Sequence, residues 1–87
     1  MTFNSFNQNR MSKVEIYSTP TCTFCHYAKD FFNDNGVKFT EYNVATDLEK
    51  RQDMVQKSGQ MGVPVIDIDG KITVGFDENR LRELLKL

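Results

Sequence analysis

The chain holds two cysteines, Cys22 and Cys25, in the stretch Tyr17-Ser18-Thr19-Pro20-Thr21-Cys22-Thr23-Phe24-Cys25-His26. A thiolate attacks a disulfide, and a second thiol within reach can break the mixed disulfide that results, so this spacing offers a two-step redox chemistry. Its setting strengthens that reading. Lys13-Val14-Glu15-Ile16-Tyr17 alternates polar and apolar side chains as a strand does, a Ser/Thr/Pro loop follows, and Cys22 opens a segment that reads as a helix through about Asn35. A helix N-terminus carries unpaired N–H groups and partial positive charge, which stabilise a thiolate there. Cys25, one turn on, can reach a disulfide formed at Cys22.

We therefore expect a depressed Cys22 pKa, with the helix terminus as main cause. A drop from about 8.5 to about 5 raises the thiolate fraction at neutral pH roughly 30-fold. A Brønsted slope near 0.45 lowers intrinsic nucleophilicity by roughly 40-fold, so attack is almost unchanged. The gain arises when Cys22 is the leaving group, and in stabilising the reduced form.

Other chemistries fit the same residues. Buried cysteines are often inert core thiols, but a strand-to-helix junction argues against that. A zinc or iron–sulfur site shared between two chains is a second option, because tetrahedral zinc takes four ligands and one chain supplies two cysteines and one histidine. Cys22-Thr23-Phe24-Cys25-His26 also matches the haem-attachment pattern, with Met54 or Met61 as an axial ligand. The missing export signal and the strand content oppose it, and His26 reads as a solvated helix residue.

The rest of the chain must hold these thiols in place. The first helix puts Phe24, Ala28, Phe31 and Phe32 on one face, Tyr27 and Asn35 at its margin, and His26, Lys29, Asp30 and Asn33 outward. Asn35-Gly36 ends it. Val37 to Val44 reads as a second strand with Phe39, Tyr42 and Val44 as its apolar members. Thr46-Asp47-Leu48-Glu49 has the form of a capping box, opening a helix that buries Leu48, Met54 and Val55 and stops at Gly59. Val63 to Ile68 reads as a third strand. Asp69-Gly70 signals a hairpin back through Ile72 and Val74. Asp77 then caps a last helix with a stripe of Leu81, Leu84, Leu85 and Leu87. The order is βαβαββα, with the first two strands parallel and the last two an antiparallel hairpin.

With 87 residues, 39% hydrophobic and 26% charged, the chain fits one small globular domain over residues 13–87, behind a tail at 1–12 that reads as disordered. Such a domain buries only about 60–65% of its unfolded surface. A net charge of −1 points to neither nucleic acid nor a membrane surface, and the apolar runs are too short for a span. The first twelve residues lack the apolar core of a secretory signal. A close cysteine pair without an export signal suggests a reducing, cytoplasmic setting.

Three separated motifs resemble one family. They are Tyr-Ser-x-x-x-Cys-x-Phe-Cys at 17–25, Ser-Gly-x-x-x-Val-Pro at 58–64, and Gly-Phe-Asp at 75–77. Over residues 13–87 the chain resembles a glutaredoxin. The resemblance implies an α/β thioredoxin-like fold, with a four-stranded mixed sheet flanked by three helices. It implies a monomeric thiol–disulfide oxidoreductase, with Cys22 as nucleophile and Cys25 as resolving thiol. Pro64 would be a cis proline facing Cys22, and Val63 backbone groups would pair with the cysteine part of glutathione. Gly75, Phe76 and Asp77 would receive its γ-glutamyl end, Arg51 its glycine carboxylate, and Phe24 would be a partly exposed substrate contact. Glutathione would be electron donor, no cofactor would be tightly bound, and oxidised proteins would be the substrates.

Departures from the family pattern leave the donor open. Thr19 stands where many members have a lysine, Thr23 and Gly62 replace a proline and a threonine, and Val74 replaces a glycine. The last feature resembles redoxins that take electrons from thioredoxin reductase and serve ribonucleotide reductase. A glutathione-assisted iron–sulfur cluster module is a further alternative.

Overall fold

The computed structural model describes residues 12–87; the expectation of a disordered tail therefore falls, Ser12 apart, outside the described residues. The elements are β1 (Val14–Ser18), α1 (Thr23–Asp34), β2 (Thr40–Asn43), α2 (Leu48–Ser58), β3 (Val65–Ile68), β4 (Lys71–Val74) and α3 (Glu78–Leu85). The four strands form one mixed sheet in the order β2-β1-β3-β4. β1 runs parallel to β2, with Tyr17 opposite Tyr42, and antiparallel to β3, with Ile16 opposite Ile66. β3 and β4 form the expected hairpin. Asp69 and Gly70 take φ of 53° and 88°, the left-handed pair that a two-residue turn of matching twist requires.

Each face of the sheet has its own core. On one, Val14, Ile16, Ile66 and Ile68 meet Ala28, Phe31 and Phe32 of α1 and Leu81 and Leu85 of α3. Phe32 is fully buried, and truncation of such a ring to alanine costs about 3–5 kcal/mol. On the other face Tyr17 and Val65 pack with Val44 and Met54 beneath α2.

β1 is buried along its whole length, Glu15 included. That carboxylate accepts the Tyr42 hydroxyl at 2.6 Å and lies 3.6 Å from Lys57 Nζ. Lys57 Nζ also donates to Asp67 at 2.8 Å and to the Tyr17 hydroxyl at 2.7 Å. A polar cluster therefore lies under α2, and Glu15 is part of it. Burial works against the Lys57 ammonium, but the bonds to Asp67 and Tyr17 outweigh it and hold its pKa above the usual lysine range. The Tyr42 phenol is raised to about 12, chiefly by its bond to Glu15.

Several element limits differ from the sequence reading. The second strand starts at Thr40 because the Val37 N–H bonds the Phe32 carbonyl at 2.8 Å, closing α1 and leaving Val37 and Phe39 to pack from a loop. Helix α2 is capped by Asp47, whose carboxylate accepts the Lys50 N–H at 3.1 Å, and not by Thr46. Thr46 instead belongs to a turn in which Asn43 Oδ1 takes the Ala45 N–H. Leu48, first in that helix, is exposed, as is Leu87. β3 begins at Val65, since proline at 64 has no N–H to give a ladder.

Candidate redox site

Cys22 is the N-cap of α1, with extended backbone angles (φ −85°, ψ 109°). Its N–H bonds the Thr19 carbonyl at 3.3 Å, its carbonyl accepts the His26 N–H at 3.2 Å, and its Sγ accepts the Cys25 N–H at 3.1 Å. His26 Nε2 sits 3.1 Å from the Pro20 carbonyl oxygen, tying the loop back onto the helix. Cys22 and Cys25 form a disulfide, with Cα atoms 5.2 Å apart. Cys22 is half-buried and Cys25 fully buried, so an incoming group meets Cys22 first. The first turn of α1 has no acidic residue to oppose an anion at Cys22.

Phe24 does not join the apolar face of α1: it is 58% exposed, and Cys25 fills that position with Ala28, Phe31 and Phe32. The Phe24 ring lies edge-on to Tyr27 at 5.8 Å, and Tyr27 is 6.5 Å from Phe76. An aromatic surface thus runs from the disulfide to the Gly75-Phe76-Asp77 segment.

The Val63–Pro64 peptide is cis, Pro64 is buried and Val63 half-buried. The Pro64 carbonyl accepts the Gly75 N–H at 2.8 Å, which joins this turn to the start of α3. Gly75 takes φ of 82°, a left-handed angle that suits glycine. Phe76 packs against Phe31 at 6.1 Å. Asp77 caps α3 by accepting the Arg80 N–H at 3.1 Å. Arg51 lines a hollow of about 430 Å³ with Leu48, Gln52, Val55, Gln56 and Met61.

Gln60 escaped sequence reading. Its side-chain amide donates to the Gly62 carbonyl at 3.0 Å and accepts the Gly62 N–H, bracing the turn before Pro64. A Cβ at residue 62 would lie 2.7 Å from Gln60 Oε1, the tip of a flexible side chain that can swing aside. Only the Gln-x-Gly spacing hints at it.

A cysteine pair at the cap of the helix after β1, on a four-stranded mixed sheet flanked by three helices, defines a thioredoxin-fold thiol–disulfide oxidoreductase. Comparison with known proteins narrows the class. The glutaredoxin family model matches residues 14–73. A glutaredoxin-like protein of the rubredoxin operon of Clostridium pasteurianum is 42% identical over 73 residues, covering 84% of this chain and 97% of that protein. Glutaredoxin 3 of Escherichia coli is 40% identical over 68 residues, 78% of this chain and 82% of the relative. The glutaredoxin structure from Archaeoglobus fulgidus superposes with a TM-score of 0.79 at 26% identity, covering 88% of this chain and 89% of that one. The chain belongs to the glutaredoxin family.

Proposed function

We propose that the chain reduces protein disulfides and protein–glutathione mixed disulfides through Cys22. The Cys22 thiolate attacks one sulfur of the substrate, forming a mixed disulfide and releasing the other sulfur as a thiolate. On a protein disulfide, Cys25 gives up its proton and attacks Cys22 Sγ, closing the 22–25 disulfide and freeing the second substrate thiol. On a glutathionylated protein, Cys22 takes the glutathione and a second glutathione releases it as glutathione disulfide. Two glutathione thiols, themselves oxidised to glutathione disulfide, return the 22–25 pair to the dithiol.

The observation that carries this reading is the pairing of a half-exposed Cys22 at a helix cap with a buried Cys25 one turn on. Glutathione would lie along Val63 and Pro64, with its γ-glutamyl end at Gly75, Phe76 and Asp77. Free N–H groups at a helix start suit its carboxylate, and Asp77 suits its amino group. Arg51 would meet the glycine carboxylate. The protein acts as a cytoplasmic monomer on oxidised protein substrates.

A second donor, thioredoxin reductase, is favoured by Thr19, which puts no cation beside Cys22 for a glutathione carboxylate. Turnover with glutathione and its reductase, set against turnover with thioredoxin reductase, decides between them. Visible absorbance of the purified protein would point to cluster binding instead. Cys22→Ser should abolish activity on every substrate, while Cys25→Ser should retain reduction of glutathione mixed disulfides. Equal inactivity of both variants on that substrate would overturn the glutathione route.

A further inference from the structure

A groove of about 400 Å³ opens between α1 and α3, lined by the aromatic rings of Tyr27, Phe31 and Phe76 and rimmed by Asp30, Asp34 and Glu78. It continues the aromatic surface that begins with Phe24 beside the disulfide, and Tyr27 within it is 51% exposed. Its one cation, Arg82, is already engaged: the guanidinium bonds Glu78 at 3.0 Å and lies 5.1 Å over the Phe31 ring.

Asp30 and Asp34 form no ion pair among the described residues. They stand one turn apart on α1, where like charges repel. They also stand near its C-terminal end, where the helix dipole disfavours anions, and the last turn of α1 holds no basic residue. Local stability therefore explains neither carboxylate. Together with the terminal carbonyls they make an aromatic-walled groove of negative potential.

On the reading given under Proposed function, we propose that this groove receives an extended segment of the protein substrate that carries a lysine or arginine about four residues from the reactive cysteine. Asp30 is eight residues past Cys22, about 12 Å along the helix axis. An extended chain covers that distance in about four residues. The apolar stem of the basic side chain would lie on Tyr27, with its charge between Asp30 and Asp34.

Two peptides test it. Each carries one cysteine as the mixed disulfide with glutathione; one has lysine four residues to either side of the cysteine, the other glutamine. The wild-type protein should favour the lysine peptide in kcat/KM by about 1.5- to fivefold at low salt, the range expected of exposed ion pairs. The ratio should fall toward one in the double variant Asp30→Asn/Asp34→Asn. Because it is taken within each variant, a general loss of fold cancels. A wild-type ratio of one, or a ratio that survives the double substitution, would overturn the docking proposal alone. Turnover of neither peptide would overturn the glutathione reading and the docking proposal with it. A sedimenting dimer that the double variant dissociates would assign the groove to a second copy of the chain and overturn it as well.

Discussion

Lys57→Met is the most informative single substitution for stability. Methionine keeps the length and the apolar stem of the side chain and removes the one cation serving two carboxylates, Glu15 and Asp67, whose side chains are 11% and 9% exposed. The variant loses two hydrogen bonds, to Asp67 and to the Tyr17 hydroxyl. Breaking a fully buried pair costs about 3–5 kcal/mol. The Lys57 side chain is 34% exposed, so water can partly solvate the carboxylates left behind, and a loss of about 2–3 kcal/mol is expected. In a domain this small that corresponds to roughly 10–20 °C in Tm. Urea unfolding followed by far-ultraviolet circular dichroism measures it. Wild-type Lys57 has a raised pKa, so its contribution is complete below about pH 10 and fades only above it. A variant within about 0.5 kcal/mol of wild type would refute this account of the cluster.

Other outcomes follow from the same geometry. The Tyr42 phenol, raised to about 12, should give a late phenolate absorbance step that Tyr42→Phe removes; its contribution to stability holds below about pH 10 and is lost as pH climbs through the folded value. Gly62→Thr should change stability in denaturant unfolding by less than about 0.5 kcal/mol, because only the flexible tip of Gln60 and its exposed bonds lie in the way. Asp77→Ala should lower stability by about 1 kcal/mol through the lost cap, with Asp77→Asn close to neutral. In reduced Cys25→Ser protein, the Cys22 thiol should titrate below the free-cysteine range when followed by thiolate absorbance at 240 nm; a value at or above that range would remove the helix terminus as its stabiliser.

Much of the architecture could be read from the chain because local signals agreed with one another. Asp69-Gly70, the Asp77 cap and the strand–loop–helix approach to Cys22 each depend on residues a few positions apart, and each lies where it was expected. What could not be read depends on distant partners. Nothing within β1 tells that Glu15 turns inward, because Tyr42 lies 27 residues on and Lys57 lies on another element. Phe24 and Leu48 fit helical stripes by spacing, yet both stand in first turns and both are exposed.

The distribution of charge bears on how the reduced site works. Thr19 puts no ammonium in the loop before Cys22. Lys29, on the same helix as Cys25, is held by Glu41 at 2.8 Å, and the bonds from Lys29 and Ser18 keep that carboxyl below its usual range. Lys57 is committed to Asp67 and Tyr17 on the opposite face. Neither lysine is free to serve as counter-ion for a thiolate at residue 22. Stabilisation of that anion then falls to the start of α1, where the Cys25 N–H already points at Cys22 Sγ. Donors fixed in the backbone and in contact with the sulfur are screened by salt far less than an exposed ion pair several ångströms away. A site of this kind should keep its thiolate over a wide range of ionic strength, whereas recognition of a charged partner along the Asp30–Asp34 groove should weaken as salt rises. Chemistry and docking are thereby separable by salt alone.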